Sequence, residues 1–183
     1  KQVEKGKSQF AGPEIKGKTL GIIGLGAIGA LVANAAVALG MKVVGTDPFL
    51  SVGAALRLDP SVTVVKTQDD VFAAADYLTI HVPFNKDTEG MINAAAIAKM
   101  KDGVCIINTS RGTNVDEAAL LAALESGKVR AAGLDVYADE PASNSALYSH
   151  PMVSCTPHIG AATVEAQKRI GAEIVDIITN FGK

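Results

Sequence analysis

Short runs of β-branched residues alternate along the chain with longer stretches rich in alanine and leucine, and this alternation constrains the fold most. Strands that alternate with helices in sequence pack as a parallel sheet, so the pattern predicts an open α/β sheet of about seven strands. The predicted strands lie in LGIIG, MKVVGTD, VTVV, YLTIHVP, VCIINTS, AAGLDV and MVSCTP, and the predicted helices cover 27–40, 51–58, 68–75, 93–99, 115–126, 142–148 and 162–181.

The length of 183 residues and the hydrophobic content of 48% suit one well-buried domain and leave little room for two. The segment 1–17 is polar and shows no helical or strand period. We therefore expect a connector at 1–17 and a single domain at 18–183. The chain begins at Lys1 rather than Met, which suggests a fragment or a processed chain.

The net charge, the cysteine spacing and one long apolar segment indicate whether to expect nucleic acid, a metal site or a membrane span. A formal net charge of -2 without a basic stripe argues against nucleic acid. Cys105 and Cys155 lie in apolar runs without CxxC spacing, so we expect buried free thiols, no metal site and a reducing, cytoplasmic compartment. The uncharged segment 19–41 is long enough to cross a bilayer, but its glycines favour a strand, a turn and a buried helix over a membrane span.

The helix expected at 115–126 has recognisable signals at both ends. Asn114 can cap its first turn, and Glu117 lies three residues later as the reciprocal partner of a capping box. Gly127 can end the helix in a left-handed turn.

The segment GLGAIG places Gly24, Gly26 and Gly29 at G-x-G-x-x-G spacing, after an apolar strand and at the start of a helix. These glycines permit a tight turn, a close approach of a pyrophosphate and close packing of helix on strand. Asp47 ends the second strand, where a carboxylate can bind ribose hydroxyls and repel a 2′-phosphate. The pattern predicts a Rossmann-type doubly wound sheet that binds NAD rather than NADP. The alternative is a structural glycine turn with Asp47 starting a second turn.

Three chemically suited residues follow the last three predicted strands. Arg111 follows the fifth strand, Glu140 the sixth and His158 the seventh, at the edge where open α/β sheets bind ligands. A guanidinium can grip a carboxylate with two hydrogen bonds, and a histidine can carry the proton that accompanies hydride transfer. Glu140 would hold the far nitrogen of the imidazole. Taken alone, Arg111 could be a surface or capping residue and His158 a loop histidine; we interpret His81 and His150 as structural.

Together, GLGAIG, Asp47, HVP, NTSRG, GLDVYADEP and TPHIGAAT resemble the cofactor domain of the D-isomer-specific 2-hydroxyacid dehydrogenases over nearly the whole chain. The resemblance implies NAD as cofactor, a small 2-hydroxy or 2-keto acid as substrate, and catalytic roles for Arg111, Glu140 and His158. It also implies contacts with the cofactor from Gly24, Gly26, Ala27, Ile28, Gly29, Asp47, Val82, Pro83, Thr109, Ser110, Asp135 and Gly160.

Within that family, the segments 17–29, 111–141 and 158–167 are most similar to the 3-phosphoglycerate dehydrogenase branch, which begins serine biosynthesis. Two alternatives are a glyoxylate- or lactate-type dehydrogenase and a non-enzymatic, NAD-responsive module similar to the corepressors that resemble this family.

Two departures from the family affect what we expect of this chain. Ala27 stands where related enzymes often have a basic side chain, so phosphate affinity would rest on backbone donors. Family members have a second domain that closes over the substrate, and we interpret this sequence as an excised or truncated cofactor domain, so we expect NAD binding with poor turnover. The family often dimerises through this domain, and we expect a homodimer; the stretches 93–100 and 115–124 could supply apolar contacts or could face the sheet.

Overall fold

The computed structural model describes Gly6 and residues 11–181. These residues form an α/β fold around a parallel sheet of seven strands, as the sequence predicted. The strand order is β3-β2-β1-β4-β5-β6-β7. The strands are β1 (Thr19–Ile23), β2 (Lys42–Thr46), β3 (Thr63–Val64), β4 (Tyr77–Ile80), β5 (Val104–Asn108), β6 (Val129–Leu134) and β7 (Val153–Cys155).

A helix follows each strand, and each helix overlaps a stretch predicted as helical. Most helices begin at a residue whose side chain accepts a hydrogen bond from the first turn, such as Ser51, Thr67, Asn93 and Thr163. The helices are α1 (Ala27–Ala38), α2 (Val52–Ala55), α3 (Gln68–Ala74), α4 (Ala94–Lys99), α5 (Glu117–Glu125), α6 (Ser145–Tyr148) and α7 (Val164–Asn180).

The two faces of the sheet carry separate apolar clusters. On one face, Leu20 and Ile22 of β1 pack with Ala33 of α1 in the smaller cluster. On the other face lies the larger cluster, to which helices α3, α4, α5 and α6 contribute; it includes Val71, Ile97, Leu120 and Leu147. Alternate residues of a strand point to opposite faces, so this doubly wound arrangement buries both sides of the central strands.

The loops with functional interest follow the carboxyl ends of the strands, and parallel strands end at one edge of a sheet. The glycine loop is the segment 24–29, and the Arg111 loop is the segment that follows β5. In the order of the strands from β2 to β7, this edge carries Asp47, the glycine loop, Val82 with Pro83, the Arg111 loop, Asp135 and His158. The strand order reverses direction between β1 and β4, which is the position where open α/β sheets bind ligands.

The expected capping box at 114–117 is wrong, although the helix itself is confirmed. Asp116 is the N-cap of α5, and its side chain accepts hydrogen bonds from the N–H groups of Ala118 and Ala119, both at 3.0 Å. Asn114 is buried in a 3₁₀ turn two residues earlier, because a backbone β-bridge joins the buried residues Ile92 and Val115 and holds that turn against the core. Gly127 follows the helix with φ +77°, as expected for a left-handed end.

Three other expectations meet different outcomes. Cys105 is buried as predicted, but Cys155 is exposed, because β7 is a short edge strand. The segment 19–41 divides into β1, the glycine loop and α1, and no helix in the described part of the chain is long and apolar enough to span a membrane. Residues 1–5 and 7–10 of the expected connector lie outside the described residues, so the boundary at 17 stays a prediction.

Candidate active site

The glycine loop between β1 and α1 is packed so closely that two of its positions exclude a side chain. Gly24 has φ +95°, in the left-handed region that favours glycine. A Cβ atom on Gly24 would lie 2.9 Å from the carbonyl carbon and oxygen of His81. A Cβ atom on Gly29 would lie 1.9 Å from the carbonyl oxygen of Gly24. The loop therefore lies directly against the end of β4, with the start of α1 folded over it.

Gly26 lies in the same loop but faces open space. A Cβ atom there would meet nothing within 4 Å, so packing within the chain does not require a glycine at this position. Gly26 is the N-cap of α1 and makes no side-chain capping hydrogen bond. Ala27 and Ile28 follow as exposed residues of the first turn. Free N–H groups at a helix N-terminus next to an open backbone suit the pyrophosphate of a dinucleotide.

Asp47 ties the end of β2 to the glycine loop. Its Oδ2 accepts a hydrogen bond from the N–H of Leu25 at 2.9 Å, and its Oδ1 accepts one from the N–H of Phe49 at 2.9 Å. A carboxylate oxygen can accept more than one hydrogen bond, so both oxygens keep acceptor capacity for ribose hydroxyls. The side chain is half-buried beside the β1 loop.

Val82 and Pro83 continue the edge from β1 to β4. The side chain of Val82 borders the first glycine, because a Cβ atom on Gly24 would lie 2.9 Å from its Cγ1. The carbonyl oxygen of Val82 accepts a hydrogen bond from Nδ2 of Asn114 at 3.2 Å, and that of Pro83 accepts one from the hydroxyl of Thr88 at 2.8 Å. Val82 thus links the cofactor side of the edge to the Arg111 loop.

The loop after β5 is supported by a buried hydrogen-bond network. Oδ1 of Asn108 accepts hydrogen bonds from the N–H and the hydroxyl of Ser110 at 3.1 and 2.8 Å, and its Nδ2 donates to the carbonyl oxygen of Arg111 at 2.8 Å. Asn114 donates to the same hydroxyl at 3.1 Å. Ser110 therefore has its side chain in the support of the loop, whereas Thr109 is exposed. Cofactor contacts by Thr109 and Ser110 stay predictions.

Arg111, Glu140 and His158 line one cleft of about 370 Å³. The cleft also has walls from Gly112, Tyr137 and neighbouring residues. One guanidinium nitrogen of Arg111 donates to the carbonyl oxygen of Ser110 at 2.7 Å, and most of the five N–H donors of the group remain for a ligand. The structure thus brings together three side chains that are far apart in sequence.

His158 and Glu140 are in direct contact across the β6 and β7 loops. Nδ1 of His158 lies 2.9 and 3.0 Å from the two carboxylate oxygens of Glu140. Because a carboxylate only accepts hydrogen bonds, Nδ1 must carry the proton, which leaves Nε2 of a neutral ring as the basic nitrogen. His158 has φ +54°, an uncommon conformation for a residue other than glycine, and such conformations persist only where the surroundings fix them.

Asp135 stabilises this backbone conformation of His158. It is 7% exposed, and its carboxylate accepts hydrogen bonds from the hydroxyl of Thr156 at 2.5 Å and from the N–H groups of Ile159 and Gly160 at 2.9 and 3.0 Å. Burial alone would raise the pKa of Asp135, but these three hydrogen bonds and the nearby His158 lower it below the ordinary value. Asp135 therefore clamps the segment on both sides of His158.

Gly112 brings the Arg111 loop against the loop that carries Glu140. A Cβ atom on Gly112 would lie 1.9 Å from the carbonyl carbon and oxygen of Tyr137. The hydroxyl of Tyr137 in turn donates to the carbonyl oxygen of Thr156 at 2.6 Å. Burial, followed by the neighbouring Cys155, raises the pKa of Tyr137 to about 12, so this donor keeps its proton at neutral pH. Backbone contact and one phenol thus join the loops of all three site residues.

The other two histidines do not line this cleft. Nε2 of His81 lies 3.1 Å from the hydroxyl of Thr79, and burial lowers the pKa of His81. Nδ1 of His150 accepts a hydrogen bond from the N–H of Met152 at 3.2 Å. Both have local partners, which supports the interpretation of these two residues as structural.

The sequence model of the D-isomer specific 2-hydroxyacid dehydrogenase, NAD binding domain, matches residues 1–160. The chain belongs to this family. The glycine loop, Asp47 and the cleft beside β5 to β7 all lie within the segment that this family's NAD binding domain matches. The family and the cofactor predicted from the motifs are thus confirmed.

Individual relatives differ in their named substrates. The chain is 46% identical over 172 residues to D-3-phosphoglycerate dehydrogenase of Mycobacterium tuberculosis, a match that covers 94% of the chain and 32% of the relative. It is 47% identical over 175 residues to hydroxypyruvate reductase of Thermotoga maritima, covering 94% and 55%. The structure of D-lactate dehydrogenase from Aquifex aeolicus with NAD and lactic acid aligns with a TM-score of 0.81 and 33% identity, covering 98% and 60%. The chain spans about a third to three fifths of these proteins.

Sequence reasoning predicted that Arg111, Glu140 and His158 would meet, and the structure places them in one cleft, but it missed the residues that hold them. Asn108, Gly112 and Glu117 are among these missed residues, and each acts through a partner distant in sequence or through the backbone. The signal for Gly112 was present, since a glycine directly after a candidate arginine indicates a close approach of backbone. The partners of Glu117 lie 21 to 31 residues later and leave no local signature.

Proposed function

We propose that this chain supplies the NAD-binding and catalytic half of an oxidoreductase that interconverts a D-2-hydroxy acid and a 2-keto acid. The observation that carries the proposal is the cleft in which Arg111, Glu140 and His158 meet, on the same sheet edge as the glycine loop. The residues at that loop fit a dinucleotide, because Gly26 is open where its neighbours Gly24 and Gly29 are closely packed.

Each of the three side chains has a role that follows from its chemistry. Arg111 binds the substrate carboxylate through the guanidinium donors that its own loop leaves free. In the oxidative direction, Nε2 of His158 takes the proton from the substrate hydroxyl, and in reduction it returns that proton to the carbonyl oxygen. Glu140 stabilises the imidazolium through Nδ1. NAD held at the glycine loop would supply the acceptor for the hydride from the carbon that bears the hydroxyl group.

The remaining predicted residues divide between cofactor binding and support. Gly24, Gly26 and Gly29, with the N–H groups of Ala27 and Ile28, would bind the pyrophosphate. Asp47 would bind the ribose, and the Val82–Pro83 and Thr109–Ser110 segments would border the nicotinamide end. Asp135 and Gly160 would reach the carboxamide while they hold the His158 segment.

The substrate that we favour is 3-phosphoglycerate, because the phosphoglycerate dehydrogenase relatives match this chain at up to 46% identity. Hydroxypyruvate is a specific second candidate, since the Thermotoga relative is 47% identical. Both are small acids with an oxygen function at carbon 2, so the same cleft chemistry serves either. A non-enzymatic NAD-responsive module is the alternative of a different class, and turnover distinguishes it from an enzyme.

Calorimetric titration of the chain with NADH and NADPH tests the cofactor half of the proposal. We expect NADH to bind at least about tenfold more tightly, because a 2′-phosphate would meet the Asp47 carboxylate. Asp47→Asn should remove most of that preference, while Asp69→Asn, at an exposed carboxylate paired with Lys99, should retain it. Equal affinities of the unaltered chain for the two cofactors would contradict the assignment of Asp47.

To test the catalytic half, we would place residues 1–183 in the matching segment of the Mycobacterium tuberculosis relative, of which the match covers 32%. We expect this chimera to oxidise 3-phosphoglycerate with NAD. Arg111→Ala should reduce kcat/KM by about a hundredfold or more and Arg111→Lys by less, because a lysine keeps the charge but not the two-pronged geometry. NADH affinity should remain in both variants. NADH binding without any turnover of phosphoglycerate or hydroxypyruvate would favour the non-enzymatic alternative.

A homodimer and a reducing, cytoplasmic setting also remain proposals. The stretches 93–100 and 115–124 direct Ile97, Met100 and Leu120 into the core rather than outward. Exposed apolar side chains lie instead on α7, where Ile174 is 51% and Ile178 70% exposed. Light scattering on the chain and on an Ile174→Asp variant would show whether α7 mediates self-association. Free thiols at Cys105 and Cys155 are what a reducing compartment predicts.

A further inference from the structure

We infer that Glu117 is a positioning residue that holds the loop carrying Glu140, so that Glu140 can fix the imidazole of His158. The inference deepens the proposed function and rests on it for its catalytic meaning, but the geometric relation can be measured without turnover. Glu117 lies at the start of α5, outside the cleft that Arg111, Glu140 and His158 line.

The carboxylate of Glu117 contacts the Glu140 loop on both sides of Glu140. Its Oε1 accepts a hydrogen bond from the N–H of Ala138 at 2.9 Å, two residues before Glu140. Its Oε2 accepts one from Nδ2 of Asn144 at 3.3 Å, four residues after Glu140. The hydroxyl of Tyr148 donates to both oxygens, at 2.8 and 3.0 Å. Three donors from one loop and the short helix after it thus converge on one side chain.

A carboxylate satisfies this arrangement and an amide does not. Oε1 of Glu117 accepts from the N–H of Ala138, Oε2 accepts from Nδ2 of Asn144, and the single proton of the Tyr148 hydroxyl is shared between the two oxygens. A glutamine would place its NH₂ group against either the N–H of Ala138 or Nδ2 of Asn144, whose Oδ1 is already used to cap the N–H of Leu147. Burial and then Glu117 raise the pKa of Tyr148, so the phenol remains a donor. The ring of Tyr148 packs edge-to-face on that of Tyr137, with the ring centroids 4.8 Å apart. Tyr137 lies at the start of the Glu140 loop, so this contact also connects Tyr148 to that end of the loop.

The Glu140–His158 contact depends on such an anchor because solvent can compete for it. The two side chains are 46% and 49% exposed, so no enclosing wall keeps them together. An exposed ion pair contributes little unless its partners are already held in place. Asp135 holds the His158 segment, and Glu117 holds the Glu140 segment, so the pair is fixed from both sides.

The tautomer of the His158 ring reports whether Glu117 keeps Glu140 in place, because of the groups that surround the ring. Glu140 contacts Nδ1, Asp135 holds the adjacent backbone, and Tyr137 and Cys155 line a cavity of about 470 Å³ that His158 also borders. Among the described residues, Glu140 is the side chain that accepts a hydrogen bond from the ring itself. Loss of its correct placement should therefore lower the fraction of neutral rings with the proton on Nδ1.

The test is ¹⁵N NMR of the imidazole rings of the 183-residue chain, at a pH where neutral rings predominate. We expect Glu117→Gln to lower the ratio of Nδ1–H to Nε2–H at His158 roughly threefold, toward the ratio in a Glu140→Ala reference. Asp116→Asn is the matched control, because it removes the neighbouring carboxylate on the same helix but keeps a good N-cap and all Glu117 contacts. Its ratio should equal that of the unaltered chain.

Two results would overturn the inference: an unchanged ratio in Glu117→Gln, or an equal fall in Asp116→Asn. If Glu117→Gln does not fold, Tyr148→Phe decides, since it removes one donor to Glu117 and leaves the others. A lower ratio in Tyr148→Phe supports the inference, and an unchanged ratio contradicts it. NADH titration of the same samples separates this outcome from failure of the proposed function, because Glu117 lies outside the glycine loop and should not alter cofactor affinity.

Discussion

The two halves of the sheet edge achieve their geometry in different ways. On the β1–β2 side, the glycine loop and Asp47 are joined by the hydrogen bond from the N–H of Leu25 to Asp47 and lie within one stretch of 24 residues, from Gly24 to Asp47. On the β5–β7 side, Arg111, Glu140 and His158 come from three loops that contact one another through Gly112, Glu117, Tyr137 and Asp135. The first half is thus local in sequence, and the second depends on contacts between distant segments.

This difference indicates where each half is vulnerable. A substitution in the glycine loop can remove cofactor binding while the fold remains, where the position faces open space. A substitution among the supports of the Arg–Glu–His cleft must alter packing or buried hydrogen bonds, so it should affect stability and site geometry together.

The largest expected effect comes from comparing a glycine in each half. Gly112→Ala should lower the free energy of unfolding by about 3 kcal/mol, because the new Cβ would overlap backbone atoms of Tyr137 that cannot rotate away. Gly26→Ala should leave stability within about 0.5 kcal/mol, since nothing lies within 4 Å of the new atom, yet weaken NADH binding. Urea unfolding and calorimetry measure the two quantities.

Gly133→Ala provides the control for the effect of a methyl group in this part of the sheet. Its Cβ would lie 3.9 Å from Ile107, an ordinary contact, so its stability should change little. If Gly112→Ala were as stable as Gly133→Ala, the close junction of the two loops would not exist as described, and the comparison between the halves would lose its main support.

The same contrast explains how much could be predicted from the sequence. The strands, helices and glycine loop follow from local periodicity and spacing, and all were predicted close to their observed bounds. The roles of Asn114 and Glu117 were not, since a capping-box pattern fits 114–117 but Asp116 caps the helix instead. Glu117 bonds with Ala138, Asn144 and Tyr148, and only the fold brings these residues near it.

The exposure of Cys155 was missed for a related reason. Its apolar neighbours indicate a strand, and a strand is present, but local composition does not say which strand lies at the edge of the sheet. Strand order results from the crossovers of the whole chain. Residues whose environment depends on that order, such as Cys155 and Asp135, are therefore the least predictable from sequence, even where their secondary structure is correct.

The next largest expected effect is on the pH dependence of stability, and it concerns Asp135 on the β5–β7 side. Because the pKa of Asp135 is lowered in the folded chain, its carboxylate stabilises the fold above the ordinary aspartate pKa of about 4, and this contribution is lost as the pH falls through the folded value. Asp135→Asn should therefore be less stable by about 2 kcal/mol at pH 7, with a difference that shrinks below about pH 4.

Urea unfolding across pH 3 to 7 follows this difference at roughly unit steps. Asp102→Asn is the control, since it removes an exposed carboxylate paired with Lys128 at 2.8 Å, and its effect should be smaller at every pH. A difference for Asp135→Asn that stayed constant down to pH 3 would show that the charge of Asp135 does not contribute to the clamp on the His158 segment.

The smallest expected effect concerns the β1 side. It tests whether backbone N–H groups alone determine the affinity of the glycine loop for the pyrophosphate. Ala27 is exposed at the first turn of α1, so an arginine there could reach a bound pyrophosphate without disturbing the fold. Ala27→Arg should tighten NADH binding about threefold at low salt, and the gain should vanish near 1 M salt, where exposed charges are screened within about 3 Å. Ala27→Gln, similar in reach but uncharged, should bind as the unaltered chain does. A gain that persisted at high salt, or one shared by the glutamine variant, would mean that packing rather than charge limits affinity at this loop, and that side chains as well as backbone determine binding in this half too.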